Sequence, residues 1–159
     1  MPGAAAVQMN APTAMTPRRA SAWVGWAIFV LAAAGLVLSA VSLYNHYKKT
    51  ATEYCDFGEA FNCDMVNRSI YSEVGKVPVA GIGILGYAFL MALSRKARNR
   101  RVALSMFVAA LVGWGFALYL TYVEAYILVV WCILCLGSLA AISLITLFSI
   151  WQTARVWRT

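Results

Sequence analysis

Trp131-Cys132-Ile133-Leu134-Cys135 decides how this chain is read: it is a CxxC set inside an apolar run over residues 126–151. Two sulfurs three residues apart lie on one face of a helix, where they close a disulfide or attack another one. The helix carrying this pair is of hydrocarbon length. That moves the chemistry to a membrane, where the natural electron acceptor is a lipid-soluble molecule such as a quinone. A second, wider pair, Cys55 and Cys63, lies in the longest polar stretch.

With 159 residues, 62% of them hydrophobic and 12% charged, the chain is too apolar for an ordinary soluble domain and too short for several domains. One small all-α integral membrane domain is expected. The net charge of +7 would suit nucleic acid, but its distribution excludes that partner. Arg18 and Arg19, then Arg95, Lys96, Arg98, Arg100 and Arg101, then Arg155 and Arg158 form three basic segments without an acid. Residues 45–78 hold Lys48, Lys49, Arg68 and Lys76 against Glu53, Asp56, Glu59, Asp64 and Glu73, and the remaining acid is Glu124. The charge is a topology signal rather than a binding patch.

In chain order, residues 1–21 lack periodicity and are expected to be a disordered cytoplasmic leader. Residues 22–44 run without a charged residue for about twenty positions, enough to cross a hydrocarbon core of about 30 Å. A cleavable signal peptide is the alternative, but its apolar region is usually only about 7 to 15 residues, so a retained first helix is favoured. Residues 45–78 form a polar redox loop with turn points at Gly58 and Gly75, closed by Pro78. Within it, residues 64–71 space Met65, Val66, Ser69 and Ile70 as a short interfacial amphipathic helix would. A shorter apolar run over 79–93 carries Gly81, Gly83 and Gly86, which favour close helix packing. The basic loop 94–101 precedes a third span over 102–122. Glu124 and Ala125 then make the shortest possible turn into the fourth span, and residues 155–159 form a cytoplasmic tail.

The pattern predicts a four-transmembrane-helix bundle over 22–154, its basic segments and both termini cytoplasmic and the loop 45–78 outside. Both cysteine pairs then fall on the outer, oxidising side. Cys132 is expected roughly 10 Å into the last helix, with Cys135 about 4.5 Å deeper.

Membrane helices do carry isolated cysteines as small apolar residues. Two pairs on one side of the membrane argue against that reading. A structural zinc site is disfavoured by burial of one pair in lipid and by the eight-residue separation of the other, so no metal is expected. Haem attachment is excluded in its usual form because Leu136, not His, follows Cys135. His46 is read as an interfacial polar residue. What remains is a relay: the loop pair exchanges with a water-soluble thiol protein and then with Cys132, each step needing access and a lowered thiol pKa. Cys135, deepest of the four, is best placed to reach a ligand within the helices.

The loop pair CDFGEAFNC, a serine six residues after its second cysteine (Ser69), the second helix VPVAGIGILGY and the membrane pair WCILC together resemble vitamin K epoxide reductase homologues of the bacterial type. The resemblance covers about residues 22–151. It implies a four-helix bundle around a quinone, with the loop and its short helix capping the site. It further implies that Cys55 exchanges with the partner, Cys63 attacks Cys132, Cys135 faces the quinone (ubiquinone or menaquinone) and Ser69 lies near it. Two features depart from the vertebrate pattern. No asparagine occurs between Asn67 and Asn99, and the position four residues after the CxxC is Leu139. Both departures favour plain quinone reduction over epoxide reduction. Many bacterial relatives carry a fused thioredoxin-like domain; this chain stops at Thr159, so its expected partner is a separate DsbA-like, thioredoxin-fold protein of the periplasm.

The expectation is therefore a bacterial inner-membrane thiol oxidase that reoxidises a periplasmic dithiol protein, reduces a quinone and so supports disulfide bond formation. One rival is a vitamin K epoxide or quinone reductase working for its reduced product. Another is a non-catalytic scaffold stapled by its loop disulfide. The DsbB-type quinone enzyme does the same job but carries its CxxC early and its wide pair late, the reverse of the order here.

Overall fold

The computed structural model describes residues 17–48, 55, 60–96 and 99–158. Of the leader expected over 1–21, residues 1–16 lie outside them and 17–21 belong to a helix instead; Gly58, Arg98 and most of the segment between Lys48 and Ala60 also lie outside. The elements are α1 (Pro17–Tyr47), α2 (Cys63–Asn67), a 3-10 turn (Ile70–Ser72), β1 (Glu73–Val74), β2 (Val77–Pro78), α3 (Val79–Ser94), α4 (Arg100–Val123), a π-turn (Glu124–Leu128) and α5 (Ile133–Arg158). The chain is an all-α membrane protein. Among the described residues, three helices are both long and apolar enough to cross a bilayer: Ala22–Tyr47 within α1, Arg100–Leu128 spanning α4 and the π-turn, and α5. The 16 residues of α3 reach about 24 Å.

The long helices pack α1 against α3 and α5, and α4 against α5. Their common core is Val24, Ile28, Ala32, Tyr87, Leu90, Met106, Ala110, Ile142 and Ile145. Close approach depends on Gly35 of α1, since a Cβ there would run into the Tyr87 ring of α3. Val37, Leu85, Phe89, Val112 and Leu147 point outward. An apolar surface of that extent would be a liability in water and is the natural contact with lipid tails.

The two ends of the bundle differ. At one end Arg100 lies 3.5 Å from the centre of the Trp157 ring and Arg155 lies 4.8 Å from that of Trp151, with Trp23 and Trp26 exposed nearby in sequence to the start of α1. Tyr44, Tyr47, Tyr119, Tyr122 and Tyr126 are exposed around the other. Aromatic residues at both ends match the interfacial belts of membrane proteins.

Three local expectations are corrected. The α1 helix starts at Pro17 and runs to Tyr47, so it is longer at both ends than the span over 22–44. The short amphipathic helix over 64–71 is instead α2 and a separate 3-10 turn, with Val66 and Asn67 inward and Ile70 84% exposed. The turn after α4 is not two residues long. The helix loosens into the π-turn, Val129 takes a left-handed conformation (φ 54°), residues 130–132 are extended, and α5 begins at Ile133 rather than near Tyr126. A β-branched residue with positive φ is strained, which marks this connection as held by its surroundings. The β1–β2 hairpin follows its sequence cue, since Gly75 and Lys76 both take positive φ as a tight two-residue turn requires.

Candidate functional site

Backbone pairing brings the polar loop to the CxxC. Asn62 N–H donates to the Trp131 carbonyl (3.1 Å) and Trp131 N–H donates to the Ala60 carbonyl (2.9 Å), so residues 60–62 lie strand-like beside the extended approach to α5. Asn62 also caps α2, its side chain accepting from Met65 N–H at 2.8 Å. This cap orients Cys63, the first residue of α2, toward the bundle.

The cysteines sit where these elements meet. Cys55 and Cys63 are joined as a disulfide, while Cys132 and Cys135 are free thiols. The sulfurs of Cys55, Cys63 and Cys132 all lie within 4.8 Å of one another, and all three residues are fully buried against Val66 and Val130. Three clustered sulfurs suggest a metal, but two of them are spent in the disulfide and lack the thiolate charge that zinc needs. Disulfide exchange is the chemistry this arrangement permits directly.

Cys132 does not lie 10 Å inside a helix; it is the residue just before α5, its carbonyl accepting from Leu136 N–H at 3.0 Å. Cys135 lies in the first turn of α5. Hydrogen bonding from the Cys135 side chain holds the Cys132 thiol below its ordinary pKa, and the backbone N–H groups of Leu134 and Cys135 act in the same sense. That is the usual setting of a reactive thiolate at a helix N-terminus.

On the other face of Cys135 is an apolar cavity of about 490 Å³, lined also by Leu38, Gly83, Tyr87, Val112, Phe116 and Ser138. Ser69 and Asn67 enter it from the cap, Ser42 and His46 from α1, and Glu124 from the π-turn. Cys135 is the cysteine that lines it. Of the residues expected at the site, Cys55, Cys63 and Cys132 thus form one group, and Cys135 and Ser69 share another space. The Ser69 hydroxyl donates to the Val66 carbonyl at 2.8 Å, which ties it to α2.

Three cavity residues were not singled out for the site in the sequence. Asn67, 6% exposed, accepts from the Ser42 hydroxyl at 2.7 Å through Oδ1, while its Nδ2 has no hydrogen-bond partner among the described residues. Tyr87 reaches across from α3 to the Ser138 carbonyl (2.9 Å) and hydroxyl (2.8 Å). Glu124, 2% exposed, accepts from Cys132 N–H at 3.1 Å. The signal available for Asn67 and Glu124 was their polarity beside apolar residues; nothing in their spacing ties either to a cysteine. His46 is more than an interfacial residue: its Nδ1 bonds the Asn67 carbonyl and its Nε2 lies 3.2 Å from Glu73 Oε1, which clamps the cap onto α1.

A family model described as the vitamin K epoxide reductase family matches residues 26–150. No curated protein matches the chain.

Proposed function

Since the chain belongs to the vitamin K epoxide reductase family, and is therefore an oxidoreductase of the membrane, we propose that it is a quinone-dependent thiol oxidase. In this reading it lies in a bacterial inner membrane with four crossings, α3 being the shortest, and both termini cytoplasmic. The basic segments support that orientation. The cysteine end then faces the periplasm, where a DsbA-like, thioredoxin-fold protein delivers electrons.

The observation that carries the proposal is the division of the four sulfurs, three within 4.8 Å of one another and the fourth on a 490 Å³ apolar cavity. Cys55 exchanges with the partner's dithiol. Cys63, then a thiolate, attacks Cys132 in the oxidised CxxC, and Cys55 resolves the mixed disulfide, restoring the Cys55–Cys63 bond. Cys132 and Cys135 are left as thiols, the redox state seen here. Cys135 delivers the two electrons into the cavity.

The cavity's residues fit a quinone. Its volume is within the range of small-molecule sites, its walls are apolar, and the buried Nδ2 of Asn67 is a donor suited to a ring carbonyl oxygen. Bound there, a quinone supplies a sink for two electrons and two protons. Ser69 positions α2 at the cavity rim, and Tyr87 holds α3 to Ser138 of α5 so that the cavity keeps its width.

The test mixes the purified protein with a reduced thioredoxin-fold dithiol protein and a soluble quinone. Quinone reduction is expected, and changing Cys132 and Cys135 both to Ser should lower it about 1,000-fold or more, as loss of a covalent nucleophile does. Quinone reduction by the double variant at the wild-type rate would refute the relay through the CxxC, and no quinone reduction by the wild-type protein would leave only a disulfide-stapled scaffold.

A further inference from the structure

Glu124 takes no part in the exchange steps, yet its placement is costly. A carboxylate only 2% exposed at the end of an apolar helix carries a desolvation penalty, and buried ionisable groups in membrane proteins are retained where they work. One oxygen, Oε2, accepts the Cys132 N–H at 3.1 Å. The other, Oε1, has no hydrogen-bond partner among the described residues, and the carboxylate interacts electrostatically with both CxxC thiols. It opens onto the same cavity as Cys135. The break in α4 is what puts it there: the π-turn begins at Glu124, and its carbonyl accepts from Val130 N–H at 3.3 Å.

Resting on the thiol-oxidase reading, we propose that Glu124 is a catalytic proton carrier, its Oε1 accepting the Cys135 thiol proton and passing it to an oxygen of the electron acceptor in the cavity. In each turnover the S–H bonds of Cys132 and Cys135 break and one S–S bond forms between them. Two electrons leave sulfur for the quinone, and two O–H bonds form on its ring oxygens. Glu124 carries the protons in succession and ends each turnover ionised. The Cys135 thiol acts on it through a side-chain hydrogen bond and Cys132 through its backbone N–H, while its charge in turn acts on both thiols. The other ionisable groups lining the cavity are His46, held by Asn67 and Glu73, together with Tyr71 and Tyr87, the latter bonded to Ser138. No other carboxylate is among the lining residues described, so Glu124 is the group suited to the transfer. If the carboxylate only anchored the Cys132 N–H, a carboxamide would serve equally well.

That contrast defines the experiment. Wild type, Glu124→Gln and Glu124→Asp, each with the CxxC pre-reduced, are mixed with a soluble quinone and thiol oxidation is followed across pH. In wild type the rate should rise with ionisation of a carboxyl group. Glu124→Gln should be about 100-fold slower with that limb of the profile missing, the usual loss for one acid–base group, and Glu124→Asp should recover part of the rate. An infrared difference spectrum between the oxidised and reduced CxxC should contain a carboxyl band that Glu124→Gln lacks. In a Cys135→Ala background, Glu124→Gln should still form the Cys63–Cys132 mixed disulfide, which reports that Cys132 has not moved. A Glu124→Gln protein with the wild-type rate and pH profile overturns the proposal while the thiol-oxidase reading stands. Loss of the mixed disulfide in that variant also overturns it, reducing Glu124 to a scaffold. Wild type that fails to oxidise its thiols with quinone overturns both.

Discussion

The two ends of the bundle are built on opposite rules. At the basic end α4 and α5 stay regular, and arginines lie over tryptophan rings, as Arg100 does over Trp157. At the cysteine end the helices give way: α4 loosens at Glu124, Val129 turns left-handed, residues 60–62 pair with Trp131, and a disulfide bridges the cap. Regular helices satisfy their backbone internally and leave little freedom to place reactive atoms. The irregular end spends that regularity to gather three sulfurs, a carboxylate and a cavity.

The sharpest way to break the contrast is at Cys135. Replacing it with Ala removes the disulfide partner of Cys132, so the Cys132 thiolate should attack the Cys55–Cys63 disulfide at Cys63, and non-reducing mass mapping should find that mixed disulfide with Cys55 left as a thiol. Its absence would refute the proposed order of transfer. The same change sharpens the electrostatics when Cys55 and Cys63 are both Ala. Hydrogen bonding from Cys135 lowers the Cys132 pKa, so Cys132 stays a thiolate to lower pH than an ordinary thiol. Losing Cys135 should move the pH profile of Cys132 alkylation upward; an unmoved profile would assign the effect to the helix N-terminus alone.

A smaller effect is expected from Asn62→Ala. The cap of α2 is worth about 1 kcal/mol, so thermal stability should fall modestly while formation of the Cys63–Cys132 bond slows more than the mass of the protein's unfolding would suggest. Equal rates would show that the Trp131 pairing orients Cys63 without the cap. Smallest of all is Arg100→Ala at the basic end. Its stacking on Trp157 is worth about 0.5–1 kcal/mol, and quinone reduction should not change. A large loss of activity there would mean that the two ends are coupled.

Much of this was legible in the residues. The apolar runs gave the long helices, because a helix is the structure that satisfies its own backbone in lipid. Gly75 marked the hairpin turn, and the four cysteines marked the end of the bundle where the sulfurs gather. The short turn at Glu124 misled, because hydropathy alone does not distinguish a helix through residues 126–132 from an extended apolar segment. The single interfacial helix expected over 64–71 divides into α2 and a 3-10 turn because periodicity records spacing, not where the backbone breaks.

Sequence by itself determined a helical membrane chain with two cysteine pairs and three basic segments, since hydrophobicity and charge act position by position. Only the tertiary structure decided that Cys132 meets the loop disulfide, that Cys135 faces the cavity instead, and that Asn67 and Glu124 are drawn in beside it. Those outcomes depend on contacts between segments far apart in the chain, such as Asn62 with Trp131, whose geometry local composition does not encode.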